Sequence, residues 1–167
     1  MIWTDVLLFL VLLLIAVIDL RTKYIYDFHL LIAVVITFIG NLSKPMLMQF
    51  LGAAVGFTIG YAIYRIAFWW YKQEAFGFGD VLLLGVLGFY FGWPDFLSYF
   101  AVVNMGAGVL AIIVILVYRK ALYMQVPMAP VFIFGAYIFK WFDCPDLYQV
   151  FAMASSFYYT YLRGICS

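Results

Sequence analysis

The chain has 167 residues, 69% hydrophobic and 22% aromatic, with only 10% charged and a mean hydropathy of +1.11. A soluble domain of this size would carry about a quarter charged residues, so too few polar side chains remain to cover a water-facing surface. The formal net charge of +1 gives no reason to expect nucleic acid, and the composition is that of a polytopic membrane protein without room for a separate soluble domain.

Taken in chain order, apolar stretches predict spans over 3–19, 27–43, 46–70, 80–93, 96–118 and 128–142. The expected fold is therefore all-α, a transmembrane bundle of six helices. A further aromatic segment, 147–163, either makes a seventh span or lies along the interface. All of 1–167 reads as one membrane-embedded domain. No basic residue precedes the first stretch, and Asp19-Leu20-Arg21 follows it directly, so it is a retained span rather than a cleaved signal. Breaks fall at Asn41-Leu42-Ser43-Lys44-Pro45, at Gly77 to Gly79, at Gly92-Trp93-Pro94-Asp95 and at Cys144-Pro145-Asp146. Proline and glycine at such places are helix punctuation. Gly52, Gly56 and Gly60 in the third span, with Gly88 and Gly92 in the fourth, have the spacing of closely packed membrane helices or of ordinary membrane glycine. Asn104 in the fifth span reads as an interhelical hydrogen-bond partner. Cys144 and Cys166 lack metal-site spacing and read as small apolar residues near helix ends.

Orientation follows from lysine and arginine. With the amino terminus outside, the inner loops hold Arg21, Lys23, Arg65, Lys72, Arg119 and Lys120, and the outer loops hold Lys44 and Lys140. Arg163 is also inside if the last segment spans. Asp19 then ends the first span, and Asp80 begins the fourth, on the same cytoplasmic side. Neither acid entered that charge count.

Two aspartates at one membrane boundary suggest shared chemistry. Neighbouring carboxyls split their titrations, so one activates a water while the other protonates a leaving amide nitrogen. Such peptide hydrolysis needs no metal, cofactor, cysteine or serine. Each acid also has a plainer reading. Asp80 stands where a helix begins, as an N-cap would. Asp19 sits at a helix C-terminus, where an anion opposes the dipole, and an ion pair with Arg21 or Lys23 is its plain alternative. Gly77 and Gly79, flanking Phe78, leave an uncrowded edge for an extended peptide or simply make a loop. Asp27 reads mainly as an N-cap of the second span, with a supporting place near the site. His29 reads as a packed interfacial residue, and Glu74 as part of a solvated loop.

Three stretches together resemble the type IV prepilin peptidase family of membrane aspartic proteases. They are Asp19-Leu20-Arg21-Thr22-Lys23-Tyr24-Ile25-Tyr26-Asp27; Gly77-Phe78-Gly79-Asp80 with Leu83-Leu84-Gly85 and Gly88, similar to a GxGD motif and its helix; and Val126-Pro127-Met128-Ala129-Pro130 with Gly135, similar to a late Pro-x-x-Pro segment. With Gly52-Ala53-Ala54-Val55-Gly56, the likeness runs in order from about residue 10 to 140. The resemblance implies that Asp19 and Asp80 are the catalytic pair, that Gly77 and Gly79 form the active-site loop, and that Pro127 and Pro130 support it. It implies removal of a short basic leader from prepilin-like precursors at the cytoplasmic face of the cell membrane, without metal or cofactor. Tyr26, Asp27 and Leu82 stand where the family often has Pro, Asn and Lys. The four-cysteine methyltransferase region of longer members is not seen, so cleavage without N-methylation is expected. A presenilin-like intramembrane protease also uses GxGD, but its Pro-Ala-Leu motif is not visible here. The reading from another class is a small transporter or scaffold whose acids relay protons or pair helices.

Overall fold

A computed structural model describes residues 2–72, 77–117 and 128–141, and among them every regular element is an α-helix. The six are α1 (Ile2–Thr22), α2 (Asp27–Gly40), α3 (Met46–Tyr71), α4 (Phe78–Phe91), α5 (Asp95–Val117) and α6 (Ala129–Trp141). Each coincides with one of the six apolar segments. The 147–163 segment, Glu74, Pro127, Cys144 and Cys166 lie outside the described residues.

Helix lengths differ from the expectation of six full spans. Among the described residues, α1, over Trp3–Thr22, and α3, over Met46–Trp70, meet both length and apolarity for crossing a bilayer, and α5, with 23 residues, has the length. The α1 and α3 windows are only 28% and 22% buried, so both helices turn wide apolar faces outward. By contrast α2, α4 and α6 have 14, 14 and 13 residues. At a rise of 1.5 Å per residue, 14 residues reach about 21 Å, against a hydrocarbon core of about 30 Å.

The core is built by stripes. On α1, Leu8, Leu12 and Ile15 are buried at alternating spacings of four and three, the spacing that keeps one helix face inward. Asp19 continues that stripe. On α4, Leu83, Leu84, Leu87 and Tyr90 are buried, and Asp80 begins the same face. Both acids are therefore carried inward by the periodicity of their own helices.

The most extensive pairing is α3 with α4. A Cβ on Gly52 would fall on the carbonyl oxygen of Gly88, and one on Gly88 would fall on that of Gly52. Only hydrogen at both positions allows backbones this close, the way membrane helices gain dispersion contact where lipid offers no hydrophobic drive. Around α4 lie α2, α3, α5 and α6, while α1 rests on α2 and α6. No Cα of α1 comes within 8 Å of a Cα of α4, so these two helices meet only through side chains. One meeting point is the Tyr90 hydroxyl, which donates to Asp5 Oδ1 at 3.0 Å.

That end of the bundle also holds a buried amide knot. Asn41 Nδ2 donates to the carbonyls of Phe89 at 2.9 Å and Tyr90 at 3.3 Å, and to Gln49 Oε1 at 3.2 Å. The two carbonyls belong to the last turn of α4, which has no intrahelical donors left for them. Asn104 differs from its expected role. Its amide is exposed and donates to the Phe100 carbonyl of its own helix at 2.7 Å. From an outward face, the carbonyl one turn back is the acceptor in reach.

Candidate active site

Opposite the Asn41 knot, the C-terminal end of α1, the N-terminal ends of α2, α4 and α6, and the connection between α1 and α2 converge. Asp19 lies in the last turn of α1. That helix ends at Lys23, which adopts left-handed geometry (φ 55°) and donates its N–H to the Asp19 carbonyl at 2.8 Å. This is the single-bond form of a left-handed C-terminal cap. The Thr22 hydroxyl closes another last-turn carbonyl, that of Ile18, at 2.9 Å. The Asp19 side chain is 6% exposed. Among the described residues it makes no ion pair with Arg21 or Lys23, which are both exposed.

Asp80 is 8% exposed and is not the N-cap. Gly77 holds that position without a side chain to offer. Asp80, three residues on, receives the Gly77 backbone N–H on its carboxylate, the arm of a capping box that reaches back from the third helical position. The cap role and a chemical role therefore involve the same carboxyl group. A Cβ on Gly77 would sit 3.4 Å from Asp80 Oδ2.

The two carboxyls lie within electrostatic reach of each other. Each keeps one buried oxygen, Asp19 Oδ2 and Asp80 Oδ1, that finds no hydrogen-bond partner among the described residues. Buried polar atoms in folded proteins are normally satisfied, and an orphan costs on the order of 1–3 kcal/mol. A purely structural pair would have donors on those atoms. Two free acceptor sites at one end of a bundle suit a water, a shared proton or a substrate.

Three walls frame the pair. The α1–α2 connection seats Ile25, buried, on Gly79, where a Cβ would lie 2.8 Å from Ile25 Cβ. The first turn of α6 brings the Ala129 backbone N–H to the Asp19 carboxylate. Pro130, beside it, is buried in that same turn. Pro127 lies outside the described residues.

Asp27 is placed differently from its expected N-cap position. Tyr26 is the N-cap of α2, and Asp27 is the first helical residue, with an acid's favourable dipole interaction there. It is not among the groups acting on either acid. Instead it lines one end of an apolar groove of about 530 Å³ between α2, α3 and α4, with Leu31, Phe50, Leu82, Gly85 and Phe89. Neither Asp19 nor Asp80 lines that groove. At about 100° per residue, Leu82, Gly85 and Phe89 face roughly 140–200° around α4 from Asp80. His29 packs its ring against Tyr26 and Phe28, with centroids 6.0 Å from each.

Sequence reasoning missed Ile25, Ala129 and the Asp5–Tyr90 pair. The last left a readable trace. Asp5 and Asp19 are 14 residues apart, nearly a whole number of turns, so they share a face of α1. A backbone donor such as Ala129 leaves no side-chain signal beyond the prolines around it.

A family model described as the type IV leader peptidase family matches residues 6–139 of this chain. That range holds Asp19, Asp80, the glycine zipper of α3 and α4, and the first turn of α6. No match was found among curated proteins or among solved structures.

Proposed function

Because this chain belongs to the type IV leader peptidase family, a family of membrane-associated peptidases that process prepilin-like substrates, we propose that it is an aspartic endopeptidase. Asp19 and Asp80 form its acid–base pair. The observation that carries this reading is two buried carboxyls from separate helices, in electrostatic reach, each with an oxygen that has no hydrogen-bond partner among the described residues. Neighbouring carboxyls share a proton because two adjacent anions repel. The ionised member takes a proton from water, and the resulting oxygen attacks the scissile carbonyl carbon. The protonated member then gives its proton to the amide nitrogen as the C–N bond breaks. One proton has moved from water to the amine through the pair, which ends in its starting charge state.

The substrate is a precursor whose short basic leader precedes an apolar helix. That helix stays in the bilayer while the bond beside it meets the acids. Gly77 adds no side chain at the approach to Asp80, and Gly79 leaves room for Ile25 to pack on the loop. The chain forms a six-span bundle in which the short helices α2, α4 and α6 thin the local bilayer or are screened by their neighbours. Its acids face the cytoplasm, as the lysine and arginine bias requires.

The test is cleavage of a co-expressed prepilin-like precursor by Asp19→Asn and Asp80→Asn variants. Each should lose activity by at least about 10³-fold, within the range that acid–base groups contribute, while remaining in the membrane fraction. Full activity in either variant would remove the mechanism.

A further inference from the structure

We infer that the first turn of α6 belongs to the active site, with the backbone N–H of Ala129 acting as a positioning group that holds the Asp19 carboxylate toward Asp80. This rests on the aspartic-peptidase reading above and deepens it.

Ala129 is fully buried, and its N–H is hydrogen-bonded to the Asp19 carboxylate. It is the one donor that any described residue supplies to that side chain, and the other oxygen, Oδ2, has none. A carboxyl held by a single donor owes its orientation to that donor. The first N–H groups of a helix have no intrahelical acceptor. In α6 the first points to Asp19, the second is missing because Pro130 has none, and that of Phe132 closes on Met128 at 3.2 Å. Pro130 therefore removes a competing donor beside the one in use.

The turn is itself fixed from behind. Tyr99 of α5, fully buried, donates its hydroxyl to the Phe132 carbonyl at 2.7 Å. One turn further on, a Cβ at Gly135 would collide with the Val103 side chain, so α5 and α6 are in close contact there. The peptidase mechanism makes no use of the Tyr99 hydroxyl. Its bond sets where along α5 the first turn of α6 stands, and hence where the Ala129 N–H meets Asp19.

The experiment uses the full chain, purified and reconstituted, with a synthetic precursor of basic leader, glycine at the cleavage site and apolar helix. Ala129→Pro deletes the N–H at the first helical position, where proline is sterically accepted. Ala129→Gly keeps the N–H and serves as the conservative comparison. Loss of one preorganised donor aimed at the transition-state charge costs about 10²–10³-fold in kcat, and a donor acting through Asp19 costs less. Ala129→Pro should thus fall at least about 10-fold below Ala129→Gly in kcat, with KM within about twofold. Tyr99→Phe should lower kcat in the same sense and also leave KM. Should Ala129→Pro fail to fold, an amide-to-ester exchange at residue 129 deletes the same N–H without altering the side chain, and decides the matter. Equal kcat for the N–H-deleted and N–H-bearing variants, or a rise in KM alone, overturns the inference. If Asp19→Asn and Asp80→Asn are inactive in that assay, the peptidase reading survives such a result. If either is active, both fall.

Discussion

Asp19 occupies a place where helix chemistry offers an anion nothing, since the dipole at a C-terminus repels it. Among the described residues it is nonetheless buried, makes no ion pair with the two neighbouring cations, and lies in electrostatic reach of a second acid. Asp80 has the opposite setting at a helix N-terminus, where an anion is favoured. The residue types and their places at helix ends were legible in the sequence, because aspartates in apolar chains are few. The supports were not. Ile25 is one more apolar residue among many, and its role comes from sitting on Gly79 across a turn. Gly79→Ala puts a methyl group 2.8 Å from Ile25 Cβ, so the α1–α2 connection must move off the loop that carries Asp80. Overpacking of this kind costs about 1–3 kcal/mol. Cleavage by that variant should drop about tenfold or more in kcat/KM, while its level in the membrane fraction stays close to the parent's. Parental kcat/KM would show that the contact at Gly79 does not position the acid.

Among the helices, the glycine spacing of α3 had two readings, a tight interface or ordinary membrane glycine. The partner decides between them. Gly52 and Gly88 face each other so closely that each blocks a Cβ on the other, and Gly56 meets the Leu84 carbonyl in the same way. Gly88→Ala should therefore destabilise the protein by about 1–3 kcal/mol, the usual cost of overpacking where backbone must shift. Gly106 of α5 meets no atom within 4 Å among the described residues, and Gly106→Ala should change stability little or raise it slightly. Thermal unfolding in detergent, comparing both variants with the parent, checks the contrast. Equal midpoints would mean that the α3–α4 interface yields without strain. Element positions were readable from apolar runs and punctuation. The shortness of α2, α4 and α6 was blurred, because loops such as Asn41-Leu42-Ser43 begin before the apolar signal fades.

Across the whole bundle, no Cα of α1 comes within 8 Å of a Cα of α4 among the described residues. One side-chain junction is Tyr90 to Asp5 at the far end, while at the near end the two acids lie in electrostatic reach. Tyr90→Phe removes one hydroxyl and should cost about 1 kcal/mol, a typical net hydrogen bond, or somewhat more because Asp5 loses its donor. Chemical denaturation in detergent micelles measures it, and an unchanged midpoint would reduce that junction to packing alone. Orientation is checked at the same scale. With Cys144 and Cys166 replaced by serine, a cysteine at Lys23 should react with an impermeant reagent only from the cytoplasmic side, and one at Lys44 only from outside. The reverse pattern would turn the active site outward. By itself the sequence determined that this chain is helical and membrane-associated, where each helix runs, and that two aspartates stand at helix ends. Composition, apolar length and charge bias are additive along a chain, so they can be read without a fold. Only the tertiary structure decided that the two carboxyls come into electrostatic reach, that Asp27 turns to a separate groove, and that α6 lends a backbone donor. Those depend on distances between residues far apart in sequence, and no local pattern records them.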